Sequence, residues 1–391
     1  MATELVAPLL SSDEPVVGFR LTNKSYTLAG AKVVAHALAS AASAGRFSSL
    51  TTVDIADIIA GRPEEEALEV LRTICAPLKG CKALASIDVS DNAFGAKGLD
   101  ACVDLLEGQS NLVSLKAQNN GISAASAAQL CDIVLRSNGS QLRRFHFYNN
   151  MSGPEGAAAI ASMLRDPKLS GLTDLRFSGT RAQSQGTLKV VEAIAGALKL
   201  LQRLDLNDNT FLLPGARCLS STLKAGGFQH LASLLLRDGS LGAKGCACAC
   251  VGLAANPPPC LTELDLSGNE VGEEGAPTAK AKALKALRLA LLALSPTLQV
   301  FLCEDNELGS KAVSSLAPAL ASCGKLSRLQ LCNNGVYGAA GALPLVKALV
   351  AGAAGGAAMP LLVNKSGGLE LDGNCFTPEE VEAVEEVLAE G

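Results

Sequence analysis

The stretch LTELDLSGN, Leu261–Asn269, sets leucines at the first, fourth and sixth places of a nine-residue frame that closes on an asparagine. Alternation across Leu264, Asp265 and Leu266 is the period of a short strand with one buried face. The same frame returns at Leu84–Asn92, Leu112–Asn120, Leu142–Asn150, Leu201–Asn209, Leu298–Asn306 and Leu326–Asn334. Degenerate copies fall at Leu172–Thr180, Leu231–Gly239 and Leu369–Asn374, and two more precede the series around Phe19–Lys24 and Leu50–Ile58. That makes about twelve units, whose asparagine-equivalent positions are spaced 28 to 40 residues apart. In each unit the asparagine is expected to turn inward and bond the open backbone groups of neighbouring loops. The rest of the unit returns as a helix, with Leu99, Cys102, Leu105 and Leu106 as the apolar face of the third.

One such unit cannot bury its own face, so the units must stack. Spacings this long belong to leucine-rich repeats with a helical return. The expected fold is an α/β leucine-rich-repeat solenoid, a ribonuclease-inhibitor-like horseshoe of about twelve β-α units with a parallel sheet on its concave side. At ~4.8 Å per strand the inner arc is roughly 58 Å. The expected organisation is an N-terminal leader over 1–15 and a single solenoid domain over 16–391. An acidic capping helix closes it, announced by the capping box Thr377-Pro378-Glu379-Glu380. AKAKALKALRLALLAL, residues 279–294, reads as a lengthened outer helix with solvated lysines, and GAAGGAAMP, residues 352–360, as a surface loop.

Composition narrows the function. Hydrophobic residues make up 48% of the 391 but aromatics only 3%, which suits a core of many thin aliphatic layers. The 33 basic residues against 38 acidic ones, net −5, include no basic stripe interleaved with aromatics, which excludes nucleic acid as a partner. The 13 cysteines are scattered and read as reduced, buried filler, including Cys246, Cys248 and Cys250 on one helix, with no metal expected. His36, His146 and His230 fall in separate units without a nucleophile or carboxylate partner at motif spacing. No phosphate-binding loop is present, so neither nucleotide nor other cofactor is expected on this chain. The longest uncharged stretch, Ala348–Val363, has 16 residues against the ~20 a membrane span needs.

The position just before each ladder asparagine reads Asn23, Asp57, Asp91, Asn119, Asn149, Gly179, Asp208, Asp238, Gly268, Asp305, Asn333 and Gly373. Turn chemistry favours these residue types. Alternation also points them outward, so they form an acidic, amide-rich rim suited to a basic protein surface. Arg62 breaks the local rules. Pro63 fits the first helical position, which leaves Arg62 at the N-cap, where a cation meets the positive end of the helix dipole. Preceding proline, it is expected to be extended and to project from the rim, with a salt bridge to Glu65 or Glu66 as the structural alternative. Arg62 and Asn119 stand two units apart, about 10 Å along the rim.

DIIAGRPEEEALEVL, VSDNAFGAKG, HFYNNMSGPEGA and LDLNDNTF resemble Ran GTPase-activating proteins of the plant type, and the resemblance runs in order from about residue 16 to the end. It implies a chain that binds Ran in its GTP form and accelerates hydrolysis in support of nucleocytoplasmic transport. Such a chain is an enzyme activator rather than an enzyme, and the GTP and Mg2+ belong to the partner GTPase. Arg62 of the AGRP loop and Asn119, the first asparagine of QNNG, are the implied catalytic residues, the latter contacting the GTPase's own catalytic glutamine. Asp57, Asp91, Asn149, Asp208, Asp238 and Asp305 are the candidate GTPase-binding residues of the rim. A Ran-binding protein in a ternary complex, a monomeric state and a cytoplasmic or perinuclear location complete the expectation. The Trp-Pro-Pro targeting segment of plant members has no counterpart, since the chain contains no Trp. The alternative is a non-catalytic leucine-rich-repeat interaction scaffold.

Overall fold

The computed structural model describes residues 2–93, 95–137, 141–272, 277–354 and 368–390, and the chain forms two compact units, Met1–Leu198 and Lys199–Gly391. In the first unit, helix α1 (Ala2–Ser11) is followed by six strands: β1 (Gly18–Arg20), β2 (Thr52–Asp54), β3 (Ser86–Asp88), β4 (Ser114–Lys116), β5 (Arg144–His146) and β6 (Asp174–Arg176). Each pairs in parallel with the next in sequence order, at constant register, so that Val53, Ile87, Leu115, Phe145 and Leu175 form one continuous file. All five are essentially inaccessible to solvent, which is the inward leucine position of the frame. The flanking strand residues point the other way and are mostly polar, as alternation requires.

The return segments are α2 (Leu28–Ser43), α3 (Glu64–Cys75), α4 (Gly95–Ala101), α5 (Val103–Leu106), α6 (Ala124–Arg136), α7 (Gly153–Leu164) and α8 (Gln183–Ala197). Thr27 and Ser123 cap α2 and α6 by accepting the backbone N–H three residues on. The third unit's helix differs from the expected single run. Leu99, Cys102, Leu105 and Leu106 are all buried, but the backbone leaves helical geometry at Cys102 and divides the segment into α4 and α5. Within the segment 1–15, α1 packs against α2 with Val6 buried.

The second unit repeats the plan with β7 (Arg203–Asp205), β8 (Ser233–Leu235), β9 (Glu263–Asp265), β10 (Val300–Leu302), β11 (Arg328–Gln330) and β12 (Leu369–Glu370). These too pair in parallel and in order. The helices are α9 (Leu212–Lys224), α10 (Gly242–Ala255), α11 (Pro277–Leu294), α12 (Ser310–Ala321), α13 (Ala339–Ala354) and α14 (Pro378–Glu390). The chain is thus a leucine-rich-repeat solenoid, with six strands among the described residues of each unit. The capping box forms as read: Thr377 N–H donates to Glu380 Oε2 (2.8 Å) and Glu380 N–H to Thr377 Oγ1 (3.4 Å). Of the expected GAAGGAAMP loop, Gly352–Ala354 are instead the last turn of α13, and residues 355–360 lie outside the described residues.

The asparagine ladder binds repeat to repeat. Asn120 Nδ2 donates to Val89 O (3.0 Å) while its Oδ1 accepts from Asn92 N–H (2.8 Å), and Asn150 Oδ1 accepts from the N–H groups of Asn120 and Ile122. Asn269, Asn306, Asn334 and Asn374 repeat the arrangement in the second unit. Every such amide satisfies buried backbone groups that no strand partner reaches.

Candidate functional site

All twelve positions of the row preceding the ladder adopt the left-handed conformation, with φ between 48° and 68°. Only Gly, and at modest cost Asn and Asp, occupies that region readily, so the backbone itself accounts for the restricted composition. The strand has to turn there to bring the next residue into the ladder, and the row side chains are left on the outer edge. Asp91, Asn119, Asn149, Asp208, Asp238 and Asp305 are exposed, and Asp57 is half-buried.

In the first unit the row is bonded from repeat to repeat. Asn119 Nδ2 donates to Asp91 Oδ1 at 2.9 Å, and Asn149 Nδ2 donates to Asn119 Oδ1 at 2.8 Å. The backbone runs in parallel, with Asp91 N–H on Gln118 O, Asn119 N–H on Tyr148 O and Asn149 N–H on Ser178 O. Asn119 therefore points outward as expected and, in addition, links the row from repeat to repeat. The carboxylate of Asp91 fixes which end of the Asn119 amide is the donor, leaving one N–H and one carbonyl lone pair for another molecule.

Arg62 also sits differently from its expectation. The helix starts at Glu64 with Pro63 as N-cap, so Arg62 lies one residue outside the cap. Its side chain folds back instead of projecting: Nε donates to Ser25 Oγ (2.9 Å) and Nη1 lies 3.9 Å from Glu66 Oε2. Glu66 in turn accepts the Leu28 N–H at the start of α2 (3.0 Å), so the salt-bridge alternative holds and ties two repeats together. Arg62, Glu64, Asp91 and Lys97 line one recess of about 650 Å³. Asp91 thus belongs both to the Arg62 recess and to the Asn119 chain, and the structure brings these residues into one connected set.

The sheet face carries a cluster the sequence reading missed. His146 Nε2 lies 3.0 Å and Arg144 Nε 2.9 Å from Asp174 Oδ2, with Arg176 Nε 3.7 Å from Oδ1. Burial alone would raise the Asp174 pKa, but the hydrogen bonds from His146 and Arg144 and the charge of Arg176 bring it down to about 2. The missed signal was register: laid strand on strand, Arg144 pairs directly with Asp174.

In the second unit the row is not purely acidic in its surroundings. Arg237 lies 3.6 Å from Asp238 and 3.8 Å from Asp305, and donates to Glu304 at 2.9 Å. Burial raises the Asp238 pKa, as do the Asp208 and Asp305 carboxylates, against the pull of Arg237. Glu304, Cys332 and Glu370 bring potential metal-ligand atoms within 4.8 Å of one another. Arg237 and Arg328 already pair with the two carboxylates. No helix among the described residues is long and apolar enough to cross a membrane.

Comparison with known proteins adds names to this geometry. Residues 258–276 match a family model described as Leucine Rich repeat. The chain is 38% identical to RAN GTPase-activating protein 1 of Arabidopsis thaliana over 114 residues, 29% of this chain and 20% of that protein. It is 30% identical to the ribonuclease inhibitor of Sus scrofa over 275 residues, 70% of this chain and 56% of the inhibitor. Ran GTPase-activating protein 1 of Saccharomyces cerevisiae is 24% identical over 181 residues, 45% of this chain and 44% of that protein. The matches span from a fifth to just over half of these relatives.

Proposed function

Because this is a leucine-rich-repeat chain with homologues among Ran GTPase-activating proteins, we propose that it accelerates GTP hydrolysis by a Ran-type small GTPase in its GTP form. The reading rests on the homology together with one observation, the hydrogen-bonded run Asp91–Asn119–Asn149 on the rim of the first unit. A GTPase's catalytic glutamine ends in an amide, and the groups that best hold an amide are another amide's remaining N–H and carbonyl lone pair. Asn119 offers both from a side chain already locked by its neighbours, so no reorganisation is required when the partner reaches its transition state. The nucleotide, the Mg2+ and the attacking water belong to the partner.

Arg62 takes a docking role in this scheme. Its guanidinium is held by Ser25 and Glu66, and a finger entering the partner's phosphate site would have to leave both. Held where it is, it presents a fixed positive charge beside Asp91. Asp57, Asp208, Asp238 and Asp305 supply further rim charge for a basic partner surface. Action in the cytoplasm or near the nuclear envelope, in support of nucleocytoplasmic transport and with a Ran-binding protein as a third component, belongs to the same proposal.

The longer alignment with a ribonuclease inhibitor favours a second reading, a non-catalytic interaction scaffold. Single-turnover hydrolysis of GTP-loaded Ran separates the two. An activator raises the rate with its own concentration to a plateau; a scaffold that binds and leaves the intrinsic rate unchanged overturns the proposal.

A further inference from the structure

The outer, helical side of the second unit carries two features that the rim does not use. One is a groove of about 890 Å³ formed by α9, α10 and the first half of α11. It is lined by Val251 and Leu289, both more than 40% exposed, and by the cations Arg217, Lys244, Lys282 and Lys285. Exposed aliphatic side chains together with four cations form a surface for something apolar along one stripe and anionic beside it. The other feature is α14. Its thirteen residues include six glutamates and no basic residue. Val381 and Leu388, seven residues apart and so on one helix face, are exposed at 42% and 36%. Glu382 and Glu385 lie along one side of that stripe and are exposed as well.

We propose that α14 of one copy of this chain docks into the α9–α10–α11 groove of a second copy. The complementarity is in charge and in pattern: an apolar stripe with carboxylates beside it meets a groove lined by aliphatic side chains and by ammonium and guanidinium groups. The groove and α14 are different surfaces, so the contact is head-to-tail and leads to a closed ring or an open chain of copies rather than a two-fold dimer. It leaves the rim of the first unit unused, so this assembly and the GTPase reading stand or fall separately.

The test is sedimentation velocity of the full chain over roughly 1 to 200 µM, in low and in high salt. The wild type is expected to gain mass with concentration and to lose that gain in high salt. The variants Lys282→Glu/Lys285→Glu and Glu382→Lys/Glu385→Lys each place like charges on both surfaces, so each alone is expected to associate at least about tenfold more weakly. Mixed in equal amounts, they carry opposite charges at both contacts, and association is expected to return. All the altered side chains are exposed, and thermal melts establish that both variants fold; Lys282→Ala/Lys285→Ala is the milder replacement if either does not. A wild type monomeric throughout the range overturns the proposal. So do variants that assemble like wild type, a mixture that stays monomeric, or a groove that binds anionic lipid vesicles while the chain never self-associates.

Discussion

Replacing Asn119 by glycine separates the backbone role of the position from the chemistry of its amide. The residue sits at φ 54°, where glycine is unstrained and alanine is not. Asn119→Gly keeps the turn and removes two exposed side-chain hydrogen bonds, to Asp91 and from Asn149, a loss of about 1 kcal/mol in all. Asn119→Ala loses the same bonds and, lacking the local polar compensation that lets asparagine adopt the left-handed region, costs about 1 kcal/mol or more beyond the glycine variant. If the amide holds the GTPase's glutamine only in the transition state, both variants should bind GTP-loaded Ran nearly as the wild type does. Both should hydrolyse its GTP about a hundredfold more slowly at saturation, equivalent to about 2.7 kcal/mol. The assay is single-turnover hydrolysis across a titration of the variant, with binding and thermal melts measured on the same preparations. An Asn119→Gly protein that melts normally and activates normally refutes the mechanism. One that activates normally while the alanine variant fails would assign the whole effect to backbone strain.

Asn120→Ala, by contrast, should cost about 1 to 3 kcal/mol in a denaturant titration, because it strands the buried Asn92 N–H and takes from the Val89 carbonyl one of its two donors, leaving Asn92 Nδ2; an unchanged midpoint would contradict the ladder's role. Arg62→Ala should lose about 1 kcal/mol of stability with its Ser25 and Glu66 contacts, and activation by about tenfold or more, chiefly through weaker binding; wild-type affinity for GTP-loaded Ran would remove Arg62 from the interface. In the folded chain the Asp174 pKa is brought down to about 2 from its ordinary value of 3.8, so its stabilisation is complete above the higher value and is lost as the pH falls through the lower. Asp174→Asn should therefore destabilise the protein by about 1 to 2 kcal/mol at neutral pH, the gap from wild type narrowing below about pH 4; a pH-independent gap would show that the carboxylate's charge is not what matters.

How far the sequence carried depends on how local the cause was. The strands, the inward leucines and the ladder follow from nine-residue frames, and the cap at Thr377 from four residues, so all were legible. Side-chain partners in a solenoid lie a whole repeat away. Asn119 meets residues 28 positions before it and 30 after it, and His146 finds its carboxylate 28 residues on. Neither pairing becomes visible until the strands are set in register. Arg62 was misplaced because a single turn of chain could not reveal Ser25, 37 residues earlier, as the group that draws it inward.

The rim shows the same division between local and relayed causes. Left-handed backbone explains why every row position is Asn, Asp or Gly, so residue type alone marks none of them as functional. What sets Asn119 apart is the order of its neighbours. An acid in the preceding repeat can only accept, which commits the Asn119 amide nitrogen to donate, and an amide in the following repeat supplies the donor its carbonyl needs. Asn149 has Gly179 as its next neighbour in the row, and Asp208 and Asp238 are consecutive acids, the Asp208 carboxylate adding to the burial that raises the Asp238 pKa. In the first unit, the sequence acid, amide, amide along one edge turns a backbone requirement into a single amide held in one orientation, which is the property that a catalytic contact to another protein's glutamine demands.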